Sequence, residues 1–297
     1  MKKTLFILIT ILFSIAMYGC SSSGDTDNAG DTGSEDKPTL TFGVTNWTST
    51  VPPTKIAGKI LENMGYKVEE TNADAGSVYT GMSNGDIDIF MDSWFPAQRQ
   101  YIEEYSDSIE SIGVSYDNAN SGMVVPKYME DINDVSDLKG NEDLVNNEMF
   151  AIGAGDPAMQ DMKKVIDFYN LDIEMTNSSE AAMLAAAEAE MEEENPVLFY
   201  GWRPHSMFDK YDLKILTNKE ATEEKGLFDA STINVIANKG LEEKAPEAFQ
   251  FLSNWSISME DMEQMIAEID GGANPDEVAQ EWIDNNQDKI EEMKNGN

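Results

Sequence analysis

Residues 87–96 read Ile87-Asp-Ile-Phe-Met-Asp-Ser-Trp-Phe-Pro96, and residues 197–204 read Val197-Leu-Phe-Tyr-Gly-Trp-Arg-Pro204. Both are short apolar runs of strand character that end in Trp-x-Pro. Proline cannot donate to a sheet ladder, so each Trp falls where its strand gives way to a loop. A third Trp, Trp47, occupies the same kind of place, between the strand-like Thr39–Thr45 and a helical pattern over Pro52–Met64. Working outward, Tyr66–Glu70 and Ile87–Phe90 read as strands of one βαβ unit. Gly122–Pro126, Phe150–Gly153 and Val197–Tyr200 read as strands of a second unit, with helices over Pro157–Tyr169 and Ser179–Glu192. Ile233–Ala237 reads as a return strand, and the tail from Ala245 to Met293 as helices broken at Gly271-Gly272 and Pro275. The expected fold class is α/β with two lobes joined by two crossing strands: residues 38–121 plus 233–297 in one lobe, residues 122–232 in the other. The ligand cleft of such an arrangement lies between the lobes, at the carboxyl ends of the strands.

One Trp at a strand end is as readily core as binding site. Three in equivalent places shift that balance, whereas Trp255 and Trp282 fall in helical tail patterns and read as packing. Arg99 and Arg203 are the only arginines, and each lies within five residues of a motif Trp, as does His205. A guanidinium fork suits a carboxylate, and Trp faces attract cations, above all quaternary ammonium groups that have no N–H to donate. The combination describes a site for a zwitterion. The plainer reading stays open: Arg99 pairs with Glu103 one turn on, and Arg203 with another surface carboxylate. The loop Gly153-Ala-Gly-Asp-Pro157 opens a helix whose Ala158 and Met159 N–H groups can meet an anion. Asp156 acting as an ordinary N-cap accounts for the same loop.

The chain has 297 residues, 41% of them hydrophobic, with 56 Asp+Glu against 20 Lys+Arg and a formal net charge of -36. Without a basic stripe, nucleic acid and anionic membrane surfaces are excluded as partners. So acidic a surface is screened at molar salt, which suits either a protein of brine or simply an acidic extracellular one. Cys20 and His205 are the only residues of their kinds, so no disulfide framework or zinc site can form, and neither metal nor cofactor is expected. The carboxylates Asp86, Asp88 and Asp92 offer raw material for an extracellular hydrolase. Strand alternation reads Asp86 and Asp88 as one exposed polar face instead, and no G-x-S-x-G, P-loop or H-E-x-x-H motif occurs. No catalytic residue is nominated.

Lys2 and Lys3 followed by the apolar Leu5–Met17 form a signal peptide over residues 1–19. Met17-Tyr-Gly-Cys20 resembles the lipobox of bacterial lipoproteins, which makes Cys20 the lipidated first residue of the mature chain; an ordinary signal peptide with a chance Cys is the alternative. The polar run that follows, to Lys37, reads as a flexible tether. The protein is therefore expected on the extracellular face of the cell membrane, held by its lipid.

Six segments together carry a wider resemblance: Val44-Thr-Asn-Trp47, Gly85–Pro96, Gly122–Pro126, Ser178–Met183, Gly201–Phe208 and Tyr211–Lys214. They are similar to the glycine betaine-binding proteins of osmoprotectant ABC transporters, over nearly all of Leu40–Asn286. The resemblance implies a two-lobed type II periplasmic-binding-protein fold, with Trp47, Trp94 and Trp202 forming a prism around a trimethylammonium group. It implies that N–H groups of the 155–159 loop hold the ligand's carboxylate. Where relatives carry a carboxylate-binding His, this chain has Arg99, which is expected to take that task. Arg203 replaces a Ser or Thr, and His205 is expected to support its loop. The implied partners are a small zwitterion and a cognate ABC permease, with the protein acting as a monomer. Glycine betaine, proline betaine, carnitine, a choline-type cation and a sulfonium analogue all remain open as ligands.

Overall fold

Two five-stranded sheets organise residues 37–228 and 230–296, those described by the computed structural model. The expected signal peptide, Cys20 and the tether up to Asp36 lie outside the described residues.

The first lobe begins with β1 (Thr39–Val44), α1 (Val51–Asn63), β2 (Lys67–Asn72), α2 (Ala75–Asn84), β3 (Ile89–Phe95), α3 (Arg99–Glu104) and β4 (Ile109–Ala119). In β1 the alternating Leu40, Phe42 and Val44 are buried. Pro52 and Pro53 open α1, where a missing N–H costs no helical bond. Asp74 caps α2 by accepting the Ser77 N–H at 3.0 Å, and Gly85 stops it with a left-handed φ of 83° that suits a residue without Cβ. The second lobe holds β5 (Ser121–Pro126), β6 (Glu148–Ala151), α4 (Pro157–Tyr169), β7 (Glu174–Asn177), α5 (Glu180–Glu192), β8 (Phe199–Trp202), α6 (Met207–Lys210), β9 (Leu213–Ile215) and α7 (Lys219–Lys225). The chain then returns through β10 (Ser231–Asn238) to the helices α8 (Leu241–Lys244), α9 (Pro246–Ser253), α10 (Met259–Asp270), α11 (Pro275–Asn285) and α12 (Gln287–Asn295).

The first sheet has the order β2-β1-β3-β10-β4 and the second β7-β6-β8-β5-β9. In the first, β1, β2 and β3 run parallel and β10 lies antiparallel between β3 and β4. In the second, β6, β7 and β8 run parallel while β5 is antiparallel to β8 and β9. A single residue, Asn120, separates β4 from β5, so the chain passes from sheet to sheet almost without leaving extended conformation. β10 belongs wholly to the first sheet rather than to both. The parallel strands β1, β3, β6 and β8 therefore deliver their carboxyl ends, and the residues just beyond them, to the loops where doubly wound sheets bind ligands.

β3 is buried along Ile89, Phe90, Met91, Asp92 and Ser93, so it has no solvent face. This corrects the expectation of an exposed acidic face. Asp86 precedes the strand and is exposed, but Asp88 and Asp92 are 6% and 0% exposed. Asp88 accepts the Thr41 N–H at 2.8 Å and pairs with Lys244. β8 fits against β5 because Gly201 lies opposite Gly122; a Cβ on Gly201 would come within 2.6 Å of Val124. The tail tryptophans are structural: the Trp255 indole N–H donates to Ser115 at 2.7 Å, and Trp282 lies 6.5 Å from Trp255.

Candidate functional site

Trp47, Trp94 and Trp202 line one pocket together with Ser49, Gln98, Ser121, Asp156, Tyr200 and Phe228. Trp47 sits just beyond β1, ahead of a 3₁₀ turn at Thr48–Thr50; Trp94 is the penultimate residue of β3 and Trp202 the last of β8. Both Trp-x-Pro turns contain a cis bond, at Phe95–Pro96 and Arg203–Pro204.

A carboxylate behind Trp94 joins the two walls supplied by the first lobe. Asp92 Oδ1 accepts the Trp94 indole N–H at 3.1 Å, while Oδ2 accepts the Ser49 hydroxyl at 2.7 Å and the Thr50 hydroxyl at 2.9 Å. The turn following Trp47 is thus bonded to the group that fixes the Trp94 ring. Burial pushes the Asp92 carboxyl up to about 6, against the Ser49, Thr50 and Trp94 donors that pull it down. Gln98 is similarly anchored: its side-chain oxygen accepts from the Tyr79 hydroxyl at 2.9 Å and from the Trp94 backbone N–H at 3.2 Å. These bonds leave the Gln98 amide N–H₂ as its remaining hydrogen-bonding group.

The second lobe holds Trp202 differently. Its ring meets Tyr200 at 5.6 Å and, nearly perpendicular, His205 at 5.0 Å, and its indole N–H, though buried, finds no acceptor among the described residues. His205 does not line the pocket. Its Nδ1 accepts the Met207 N–H at 3.0 Å, which places the ring proton on Nε2, facing Glu180 Oε1 at 3.1 Å.

Several anticipated contacts take another form. Arg99 is exposed, outside the lining, with its guanidinium 5.2 Å from the Phe95 ring centroid; it makes no ion pair with Glu103 either. The reason is local: the turn after β3 directs Trp94 and Gln98 inward, so the next residue begins α3 on the outside. The Ala158 and Met159 N–H groups are already engaged, with Asp156 Oδ1 at 2.8 Å and the Asp156 carbonyl at 3.0 Å. The plain N-cap therefore accounts for this loop. Ala158 lines the pocket; Met159 does not. Asp156 itself lines it, and burial pushes its carboxyl up to about 6 although the Ala158 N–H pulls it down. Among the described residues the lining contains no Lys, Arg or His.

Arg203 turns away from the pocket. It lies over Phe208 at 4.2 Å and donates to Glu263 of α10 at 3.1 Å, while Ser206 bonds Asp270 at the far end of the same helix. α10 packs against α1, α11, β4 and the turn after Trp47. It therefore touches the loop behind Trp47 and the loop behind Trp202 at once.

Residues 38–285 match the family model described as the substrate-binding domain of ABC-type glycine betaine transport systems. The chain is 35% identical over 156 residues to the glycine betaine/carnitine transport binding protein GbuC of Listeria monocytogenes (serotype 1/2a, strain 10403S). That match covers 51% of this chain and spans half the length of the Listeria protein. Among solved structures, lactococcal OpuAC, closed and complexed with glycine betaine, is similar with a TM-score of 0.80 at 28% identity, covering 87% of this chain and 100% of that one. An ABC-transporter choline binding protein in complex with choline is similar with a TM-score of 0.78 at 25% identity, covering 87% and 92%.

Proposed function

The chain belongs to the family of substrate-binding domains of ABC-type glycine betaine transport systems, and from this we propose that it captures glycine betaine or a related quaternary ammonium solute and hands it to a membrane permease. The observation that supports this reading is the convergence of three indole rings from three strand ends on one pocket that no basic side chain lines among the described residues. A trimethylammonium group has no N–H to donate, so aromatic faces are its natural partners, each contributing up to ~2 kcal/mol when desolvated. Trp47 and Trp94 belong to the lobe we assign to residues 38–121 and 233–297, and Trp202 to the lobe of residues 122–232. A ligand touching both favours the closed state, as closure requires. For the carboxylate of a betaine, the Gln98 amide and the hydroxyls of Ser121 and Ser231 are among the side-chain donors of the lining. The proposed action is capture and release, without chemical turnover.

One observation favours a second reading. Asp156 places a carboxylate in the pocket with no basic residue beside it, which suits a cation whose other end is a hydroxyl donor, as in choline, better than one ending in a carboxylate. Calorimetric titration with glycine betaine, choline, carnitine, proline betaine and a sulfonium analogue separates the two. Tighter binding of choline, reversed in Asp156→Asn, supports the alcohol reading; tighter binding of betaine supports the zwitterion. We also propose, from the sequence of the first 37 residues, that Cys20 carries a lipid that holds a monomeric protein at the outer face of the membrane. Incorporation of labelled fatty acid in the native chain, and its loss in Cys20→Ala, tests that anchor.

A further inference from the structure

Asp88, just before β3, and Asp92, within it, lie four residues apart, both buried, but only Asp88 has a cation. Lys244 Nζ meets both Asp88 oxygens, at 2.7 and 2.8 Å. Asp92 is 0% exposed and is met by three neutral donors; among the described residues no Lys, Arg or His forms an ion pair with it. A carboxylate buried without a counter-charge is costly, and the usual outcomes are a pairing cation or neutralisation.

We propose that Asp92 is a positioning residue whose missing counter-charge is the ligand's quaternary ammonium group, so that its charge sets the affinity of the cage through the Trp94 ring. This rests on the reading that the pocket takes a quaternary ammonium ligand. Two routes carry the effect. The first is geometric: one carboxylate fixes the Trp94 indole through Oδ1 and the turn following Trp47 through Oδ2, so two of the three cage walls share a single anchor. The second is electrostatic. An indole whose N–H donates to a carboxylate gains electron density over its face, which strengthens the attraction that a cation feels there. The negative charge behind the ring adds its own field, little screened in a dry interior.

Protonating Asp92 weakens both routes. Its raised carboxyl, at about 6, brings that event into an accessible range. Other titratable groups face it: Glu180 of α5, which is bonded to His205, Tyr116 of β4 and Tyr79 of α2. Asp156 lines the pocket itself and has a carboxyl raised to about 6 as well. Any test must separate Asp92 from Asp156.

Tetramethylammonium makes that separation possible, since it has no titrating group and no second end for Asp156 to engage. The experiment is calorimetric titration of the folded protein with tetramethylammonium chloride, and in parallel with glycine betaine, from pH 8 to pH 5. In the native protein, tetramethylammonium affinity is expected to fall at least about fivefold as the pH falls. The fall persists in Asp156→Asn and is absent in Asp92→Asn, which at every pH binds about tenfold more weakly than the native protein does at pH 8. Thr50→Val removes one donor that holds the Asp92 carboxyl down, so its midpoint moves to higher pH; this variant decides the matter if Asp92→Asn does not fold. Native-like affinity and pH profile in folded Asp92→Asn overturn the proposal, as does a fall that vanishes in Asp156→Asn while Thr50→Val leaves the midpoint in place. If the native protein binds neither compound at any pH, the pocket reading itself fails and the proposal falls with it.

Discussion

The two Trp-x-Pro turns are alike in sequence and opposite in support. Trp94 lies at the penultimate position of a strand buried on both faces, its indole N–H is taken by Asp92, and its backbone N–H is taken by Gln98. Trp202 ends a strand of the other sheet, its indole N–H is buried without an acceptor among the described residues, and its ring packs against Tyr200 and His205. Even the two arginines differ: Arg99 rests on Phe95 inside its own lobe, whereas Arg203 reaches across to Glu263 on α10. The first lobe thus carries a cage wall fixed by hydrogen bonds before any ligand arrives. The wall of the second is kept in place by packing and by contacts with α10 that the lobes share. One wall held by hydrogen bonds and one held by packing suit the capture and release of a cation proposed above.

The largest expected effect comes from removing the rings. Trp94→Ala and Trp202→Ala should each weaken binding of a quaternary ammonium ligand by up to about 30-fold, the loss that ~2 kcal/mol of cation–π attraction implies. Calorimetry on folded variants measures it. Replacement by Phe sharpens the comparison, since it keeps a ring but removes the indole N–H. Trp94→Phe should lower stability by ~1–3 kcal/mol because Asp92 loses a donor in a buried site, while Trp202→Phe forfeits no hydrogen bond to the protein. Denaturant melts of the two proteins side by side show whether the asymmetry is there.

Acid should act in opposite senses on ligand binding and on folding. Burial raises the carboxyls of Asp92 and Asp156 to about 6, above the ~4 of an ordinary aspartate. Between about pH 6 and pH 4 the folded protein therefore takes up protons at these sites that the unfolded chain does not, and their contribution to stability grows as the pH falls. The thermal midpoint of the ligand-free protein should rise over that window, less so in Asp92→Asn, even as ligand affinity declines. A smaller effect is expected at the contact between lobes. Arg203 and Glu263 are 42% and 35% exposed, so Glu263→Gln should change affinity by no more than ~1 kcal/mol, and by less in molar salt. The smallest belongs to Arg99→Ala, expected within about twofold of the native affinity because the side chain lies outside the pocket. A tenfold loss in that variant would mean that Arg99 swings into the site when ligand binds.

Much of the architecture was legible because the signals are local. Alternating Leu40, Phe42 and Val44, the prolines opening α1 and α4, and the Trp-x-Pro endings of β3 and β8 each report their own neighbourhood. The eleven-residue β4 was not legible: Glu110, Gly113, Ser115 and Asp117 interrupt any apolar period, and Val114 is 49% exposed. Its extended form is imposed by pairing with β10, more than 110 positions later in the chain. The support of the site was hidden for the same reason. Nothing near Asp92 announces that Ser49 and Thr50 bond it, and nothing near Arg203 announces Glu263. One clue was available: Ile87, Ile89, Phe90 and Met91 leave β3 no polar face, so an aspartate within that run has to be buried.

The central claim is that Trp47, Trp94 and Trp202 form one cation site closed by both lobes. It is tested most directly by titrating glycine betaine and choline into the native protein and into folded Trp94→Ala, in high salt, by calorimetry. Saturable one-to-one binding of at least one of them by the native protein, lost in the variant, is the expected result. Equal binding by the two proteins would contradict the claim, because it would place the ligand somewhere other than against the Trp94 ring.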